Sequence, residues 1–143
     1  MTTQAQIGHG STFQINTSTV SSPDTWTTIA EVVSITPPSL SRDAIDATHS
    51  TSPEKWREFI PGLRDGGEVT LEVNFIPSGI GTAQIISTFN SDDLVNARIN
   101  FPDSPATVWT FAAFITSFEP EAPFDDKMSA TVTFKLSGKP AFV

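Results

Sequence analysis

Alternation of apolar and polar residues along the chain predicts mainly β-structure. The clearest case is residues 68–75, where every second residue is valine, leucine or phenylalanine and the residues between them are polar. Period-two alternation puts one set of side chains on each face of a strand, so this strand should have one buried and one hydrated face. Alternation or short runs of β-branched and aromatic residues predict further strands at 13–15, 26–35, 97–101, 108–118 and 129–137.

Residues 82–90 are the one segment with clear helical spacing. Ile85, Ile86 and Phe89 recur at intervals of three and four, which defines an apolar stripe along a helix. Many short strands with a single helix predict a mainly β fold. We expect a β-sandwich or barrel of about seven to eight strands with one flanking α-helix.

Residues 41–65 break this regularity. They show little periodicity, carry charges of both signs and end in the apolar run 59–63. A long loop in a compact domain is usually functional or disordered, and the apolar side chains argue against disorder. Two interpretations stay open. The apolar run closes the core of its own subunit, or it is buried against another subunit.

The chain has 143 residues, which predicts a single domain over 1–143. Residues 1–12 are polar and are predicted to form a flexible arm that becomes ordered through contacts. The first residues lack the basic start and apolar centre of a signal peptide, and no apolar run is long enough to span a bilayer. The sequence contains no cysteine, which excludes disulfides and thiolate chemistry.

The formal charge of the chain is -8, from 16 acidic and 8 basic residues. Such a chain lacks the positive charge that displaces counterions from phosphates, which argues against wrapping nucleic acid. The acidity favours either solubility alone or a surface that stays near DNA without binding it. The aromatic residues are 11 Phe and 3 Trp with no Tyr, a composition that suits cores and dry subunit contacts better than carbohydrate binding.

The sequence carries no pattern typical of catalysis. It contains no nucleophile elbow, phosphate-binding loop or zinc motif. His9 and His49 lie in polar segments without metal-ligand spacing, and Gly66-Gly67 fits a tight turn better than a phosphate nest. The sequence therefore predicts a protein that is not an enzyme and needs no metal or cofactor. Binding and structural functions remain.

Three stretches of the chain resemble one known family. They are IGHGSTFQI at 7–15, REFIPGLRDGGEVTLEVNF at 57–75 and WTFAAFITSFEPEAPFDDKMSATVTFKLSGKP at 109–140. Together they resemble the major tail tube proteins of long-tailed, non-contractile bacteriophages and of related particles such as gene transfer agents. The resemblance covers most of the chain. Its most specific parts are EFIPGLRDGGE and the turn FEPEAPFDDK that leads to SGKP.

The resemblance implies a structural protein that forms homo-oligomers, namely hexameric rings stacked into the hollow tail tube of a virion. In such tails the inner strands of the subunits join into one barrel, and the tube grows around a tape-measure protein. Tail terminator and distal tail proteins lie at its ends, and DNA passes through without specific binding. Assembly in the host bacterial cytoplasm, with no membrane partner, is also implied.

On this resemblance, residues 41–65 form an assembly loop that reaches a neighbouring subunit or ring. Large apolar side chains would anchor the loop, and charge complementarity would set its partner and register. The apolar anchors are Trp56, Phe59, Ile60 and Leu63, and the charged residues are Arg42, Asp43, Asp46, Glu54, Lys55, Arg57 and Glu58.

The resemblance also gives the hydrated faces of two strands a role as lining of the lumen. A neutral or acidic lining repels phosphate, so DNA would slide past it without being trapped. The candidates are Thr70, Glu72, Asn74, Thr131, Thr133 and Lys135, of which Lys135 departs from an acidic lining.

Two other interpretations remain. One is another ring component with the same tube fold, such as a tail adaptor, a tail terminator or a secretion-system tube protein. Adaptors usually carry extra domains, for which this chain has no room. The other is a carbohydrate-binding β-sandwich, which predicts an exposed platform of Trp or Tyr. Trp26, Trp56 and Trp109 are the only candidates, and Trp109 is expected in the core.

Overall fold

The computed structural model describes residues 8–16, 24–103 and 105–142, and β-strands dominate these ranges. The helix α1 spans Ile80–Asn90, and a short 3-10 turn spans Pro53–Lys55. The strands are β1 Thr12–Asn16, β2 Trp26–Thr28, β3 Val32–Thr36, β4 Ser41–Asp46, β5 Phe59–Asp65, β6 Glu68–Asn74, β7 Val95–Asn100, β8 Val108–Glu121 and β9 Ser129–Phe142. The predicted mainly β fold with one helix is confirmed.

Seven of the strands form one antiparallel sheet in the order β2-β1-β7-β8-β9-β6-β3. The strands β2 and β3 lie at opposite edges of this sheet, although only residues 29–31 join them. The sheet must therefore curl until its two ends approach each other. Consistent with this, Phe13 on β1 packs against Phe134 on β9, with ring centroids 5.1 Å apart.

The core fills the concave side of the curled sheet. On β6 and β9 the alternation seen in the sequence becomes an alternation of buried and partly exposed side chains. Ile85 of α1 also packs into this core. The core residues are Phe13, Ile15, Ile29, Val69, Leu71, Val73, Ile85, Ala97, Ile99, Phe111, Ala113, Ile115, Ala130, Val132, Phe134 and Leu136.

The segment predicted as one strand at 26–35 is two strands. Glu31 adopts a left-handed backbone conformation with φ of 55°, which β-structure does not allow, and the chain turns there. The last strand continues to Phe142 instead of ending near 137, because Gly138 accommodates φ of 79° within the strand.

The helix forms where it was predicted, but its apolar stripe is only partly buried. Ile85 and Thr88 face the core, whereas Ile86 and Phe89 are about half exposed. The stripe is therefore divided between the core and the solvent. Within the described ranges, no helix is long and apolar enough to cross a membrane.

Most of the predicted arm at 1–12 lies outside the described residues, which begin at Gly8. Residues 8–11 form a turn in which the Ser11 N–H donates to the Gly8 carbonyl at 3.2 Å. Thr12 already belongs to β1, so the sheet begins at the last residue of the predicted arm.

Candidate assembly interface

The segment predicted as a loop at 41–65 is a β-hairpin. The strands β4 and β5 pair with each other antiparallel and form a sheet of their own, separate from the seven-stranded one. Every residue of β4 is exposed, and β5 has no buried residue. A two-stranded hairpin is at best marginally stable in water without further packing. Its exposed faces are therefore candidates for burial against another chain.

Both faces of this hairpin carry exposed apolar side chains. Ile45 and Ile60 lie directly opposite each other in the register, so they share one face. Phe59 and Pro61 alternate with Ile60 and so occupy the other face. Ile45, Phe59, Ile60 and Leu63 are 50%, 55%, 52% and 84% exposed. The apolar run therefore contributes no residue to the core of its own chain.

The connection between the two strands is built by polar contacts of its own. The Glu58 carboxylate accepts a hydrogen bond from the Ser52 hydroxyl at 2.7 Å and lies 3.2 Å from Nε2 of His49. The hydroxyl and backbone N–H of Thr48 lower the pKa of the Asp46 carboxyl below its ordinary value. Asp46 and Glu58, predicted as contacts to a partner, thus also shape the hairpin itself.

The other predicted interface residues lie on the surface of the hairpin. Trp56 is 72% exposed just after the 3-10 turn. Arg42 donates from Nε to the Gly62 carbonyl at 3.3 Å. Glu54 and Lys55 adopt left-handed backbone conformations with φ of 53° and 65°. Asp43, Glu54, Lys55 and Arg57 are all exposed.

The Gly66-Gly67 pair connects the hairpin to the large sheet. Gly67 has φ of 76°, and a Cβ atom there would lie 2.3 Å from the Ser39 carbonyl oxygen, so only glycine fits. Its N–H donates to the Asp65 carboxylate at 2.8 Å. Lys135 on β9 donates to the same carboxylate at 3.0 Å. These two donors, Gly67 first, lower the pKa of the Asp65 carboxyl.

The residues predicted to line a lumen share one face of the large sheet. Thr70 is paired with Thr133, and Glu72 with Thr131, in the register of β6 and β9. Their neighbours in sequence point to the core, so these polar residues cover its convex side. Asn74 and Lys135 lie on the same face at the two ends of the paired region. Lys135 is the one cation among the residues predicted to line the lumen. Its ion pair with Asp65 balances that charge.

This face continues onto the flanking strands through further polar residues, which were not predicted from the sequence. Ser34 and Thr36 of β3 lie opposite Glu72 and Thr70, and Ser117 and Glu119 of β8 lie opposite Thr133 and Thr131. Sequence alone did not reveal them, because β8 has apolar residues on both faces and strand order cannot be read from local pattern. Together the residues form a polar surface of hydroxyl and carboxylate groups across four strands, which we call the convex polar face.

The tryptophans do not form a platform for carbohydrate. Trp109 packs between Phe101 and Phe142, with ring centroids 5.0 and 4.5 Å away. The Arg98 guanidinium lies 4.2 Å from the centroid of Trp26. Only Trp56 presents a largely exposed ring, and one ring on a hairpin gives no flat aromatic surface. No cluster of candidate metal ligands occurs within the described ranges.

Comparisons with solved structures show the same fold in tail tubes and tail-like particles. A chain in the virion of a native gene transfer agent particle is 18% identical, with a TM-score of 0.78 over 97% of this chain and 99% of that chain. A chain in the tail of an empty gene transfer agent particle, refined with C6 symmetry, is also 18% identical, with a TM-score of 0.77 over the same shares. The SPP1 tail tube protein is 8% identical, with a TM-score of 0.70 over 95% of this chain and 77% of that chain.

No curated protein matches the sequence. Residues 9–143, nearly the whole chain, match the model of the family described as lambda phage tail tube protein, TTP. The chain therefore belongs to the lambda phage tail tube protein family and is a structural protein of a tail tube.

Proposed function

We propose that the chain assembles into hexameric rings that stack into a hollow tube, with the β4–β5 hairpin as its principal contact between subunits. The observation that carries this proposal is the hairpin itself, which has apolar side chains on both faces and none buried in its own chain. Exposed apolar surface of this kind marks an interaction site. Side chains such as Phe59, Ile60 and Trp56 are typical anchors of an interface.

The edges of the large sheet support the same arrangement. Its order ends with β3 on one side and β2 on the other, and open strand edges are hazards unless a partner closes them. In a ring of identical subunits, sheets can join edge to edge into one large barrel around a lumen. The C6 symmetry applied to the gene transfer agent tail supports six subunits in each ring.

The convex polar face is the surface we assign to the lumen. Its hydroxyl and carboxylate groups provide no cation cluster that would hold phosphate, since Lys135 is paired with Asp65. DNA would therefore pass along it without specific binding. In this assignment Thr70, Glu72 and Thr131 lie near the middle of the lining, and Asn74 and Thr133 complete it.

The partners of such a tube follow from its role. A tape-measure protein would occupy the lumen during growth, and tail terminator and distal tail proteins would bind the two ends. The protein would act in the virion, after assembly in the cytoplasm of the host bacterium, without enzymatic activity and without a membrane partner. Residues 1–143 would form one domain, with the arm at 1–12 contacting a neighbour.

Negative-stain electron microscopy of the purified protein, first dilute and then concentrated, tests the proposal. We expect hollow tubes of uniform diameter, or end-on rings with six subunits, to appear as the concentration rises. A tube requires repeated contacts, so its formation should be steeply dependent on concentration. Particles that remain monomeric at all concentrations, and also when tape-measure protein is added as an initiator, would contradict self-assembly.

A further inference from the structure

The turn between β8 and β9 holds an aromatic side chain in solvent. Phe124 is fully exposed, and every residue from 121 to 128 is exposed with it. Burying such a ring removes a large apolar area from water and so stabilises a contact. The surrounding segment 119–127 carries four carboxylates and one lysine. The turn therefore presents an exposed aromatic ring flanked by negatively charged side chains. We call residues 119–127 the tip.

A groove of complementary character lies at the base of the β4–β5 hairpin. It has a volume of about 500 Å³. Its apolar walls come from Leu40, Pro140 and Phe142. Arg42, Arg64 and Lys139 line it as well, so three of the eight cationic residues of this acidic chain meet here. The groove is large enough to hold an aromatic ring. Its cationic side chains can pair with carboxylates that lie beside such a ring.

Arg42 and Arg64 lie directly opposite each other in the register of β4 and β5. Like charges in this position destabilise a strand pair unless an anion lies between them. The carboxylate within the groove, Asp65, already accepts hydrogen bonds from Gly67 and Lys135. Within the described ranges neither arginine forms a salt bridge. The pair is therefore arranged to receive carboxylates from outside the chain.

The tip and the groove lie at opposite ends of the same strand. The tip precedes β9 at Ser129, whereas the groove contacts its far end at Gly138, Lys139 and Phe142. At about 3.3 Å per residue, the distance between them is on the order of 30 Å. Phe124 therefore cannot occupy the groove of its own chain. A second copy of the chain can supply it.

We infer that Phe124 of one subunit inserts into the groove of the next, with Asp125 and Asp126 facing Arg42 and Arg64. This inference rests on the proposed self-assembly and adds a second contact, distinct from the apolar faces of the hairpin. Because the two surfaces differ and lie at opposite ends, the contact is head to tail and repeats without limit or closes into a ring. Charge complementarity fixes its register.

Disulfide trapping tests this contact, since the chain has no cysteine of its own. A Phe124→Cys and Leu40→Cys double variant is assembled at a concentration far above that needed by the wild type, because it lacks the Phe124 ring, and is then oxidised and run on a non-reducing gel. We expect a ladder of covalent multimers, because every subunit offers one thiol at each end of the contact. Either single variant should give at most dimers. Phe124→Ala should raise the concentration needed for assembly at least about tenfold, as truncation of an anchor residue does.

A matched control separates this contact from a general proximity of surfaces. Leu94 is half exposed and, like Phe124, lies next to two acidic residues, in this case Asp92 and Asp93. The Leu94→Cys and Leu40→Cys double variant should give no ladder. Tubes without a Phe124–Leu40 ladder would overturn this contact and leave the tube proposal intact. A ladder without tubes would retain the contact and overturn the tube, and absence of both would overturn both.

Discussion

At the scale of single residues, the ion pair between Lys135 and Asp65 connects the hairpin to the large sheet. It joins the end of β5 to β9 at 3.0 Å, and Gly67 adds a backbone hydrogen bond to the same carboxylate. The pair also balances the one cation among the predicted lumen residues. One contact thus bears on both the position of the hairpin and the charge of the convex polar face.

The pH dependence of stability should report this contact. The pKa of Asp65 is lowered in the folded state, so its contribution is present above its unfolded pKa of about 4 and is lost as the pH falls through the folded pKa. We expect Asp65→Asn to be less stable than the wild-type monomer at pH 7. The difference should vanish towards pH 2. Urea unfolding across this range measures it, and a difference independent of pH would contradict the assignment.

Two phenylalanines provide a matched test of the core. Phe134 is fully buried against Phe13, whereas Phe124 is fully exposed. We expect Phe134→Ala to lower the free energy of unfolding of the monomer by about 3–5 kcal/mol because it leaves a cavity. Phe124→Ala should change it by less than about 0.5 kcal/mol. Equal effects of the two variants in urea unfolding would show that the core is assigned wrongly.

At the scale of elements, the β4–β5 hairpin differs from the seven-stranded sheet. The central strands of that sheet obtain stability from a shared core, whereas the hairpin strands contribute no residue to it. Its connection is held by polar contacts such as Ser52 to Glu58. The hairpin is thus held together by contacts within its own segment, and its apolar faces are exposed.

Truncation of a hairpin anchor should block assembly without unfolding the monomer. We expect Ile60→Ala or Trp56→Ala to keep the circular dichroism spectrum and the urea midpoint of the wild type, because both side chains are more than half exposed. Neither variant should form tubes at concentrations at which the wild type does. Ile80→Ala, at an apolar site on the helix that is 82% exposed, is the control that should still assemble. Unfolding of the Ile60→Ala monomer would instead place this residue in the core.

The same contrast explains which elements sequence could predict. β6, β7 and β9 have one face on the core, so alternation revealed them and their inward residues. β4 and β5 have no buried face within the chain, and their apolar residues on both sides produce no period of two. Residue types still indicated that Phe59, Ile60 and Leu63 require burial. The conformation was missed because neither strand has a buried face within the chain that would impose a period of two on the sequence.

At the scale of the whole molecule, the fold separates two kinds of surface. The convex polar face presents hydroxyls and carboxylates, while the hairpin and the β8–β9 turn present apolar groups. The sequence predicted the polar residues of β6 and β9, and the structure places them side by side. The sequence could not predict that this polar face continues onto β3 and β8, because the continuation depends on strand order. This separation suits the proposed subunit, which binds its neighbours through some surfaces and lets a polymer pass along another without binding it.

Charge reversal on the convex polar face should affect passage and leave assembly intact. We expect Glu72→Lys to form normal tubes, because Glu72 lies in the middle of the polar face and away from the hairpin. DNA should leave particles that carry this variant more slowly, since phosphates gain a cation to bind. The delay should shrink as salt is raised. Ejection kinetics identical to the wild type at low salt would contradict the assignment of this face to the lumen.

The most direct test of the whole account is a helical reconstruction of the tube by electron cryomicroscopy. We expect rings of six subunits, with Ile45, Phe59 and Ile60 of the hairpin buried against a neighbouring subunit. Glu72 and Thr131 should face the lumen. A tube in which the hairpin lies free on the outer surface, or in which the convex polar face points away from the lumen, would contradict the account.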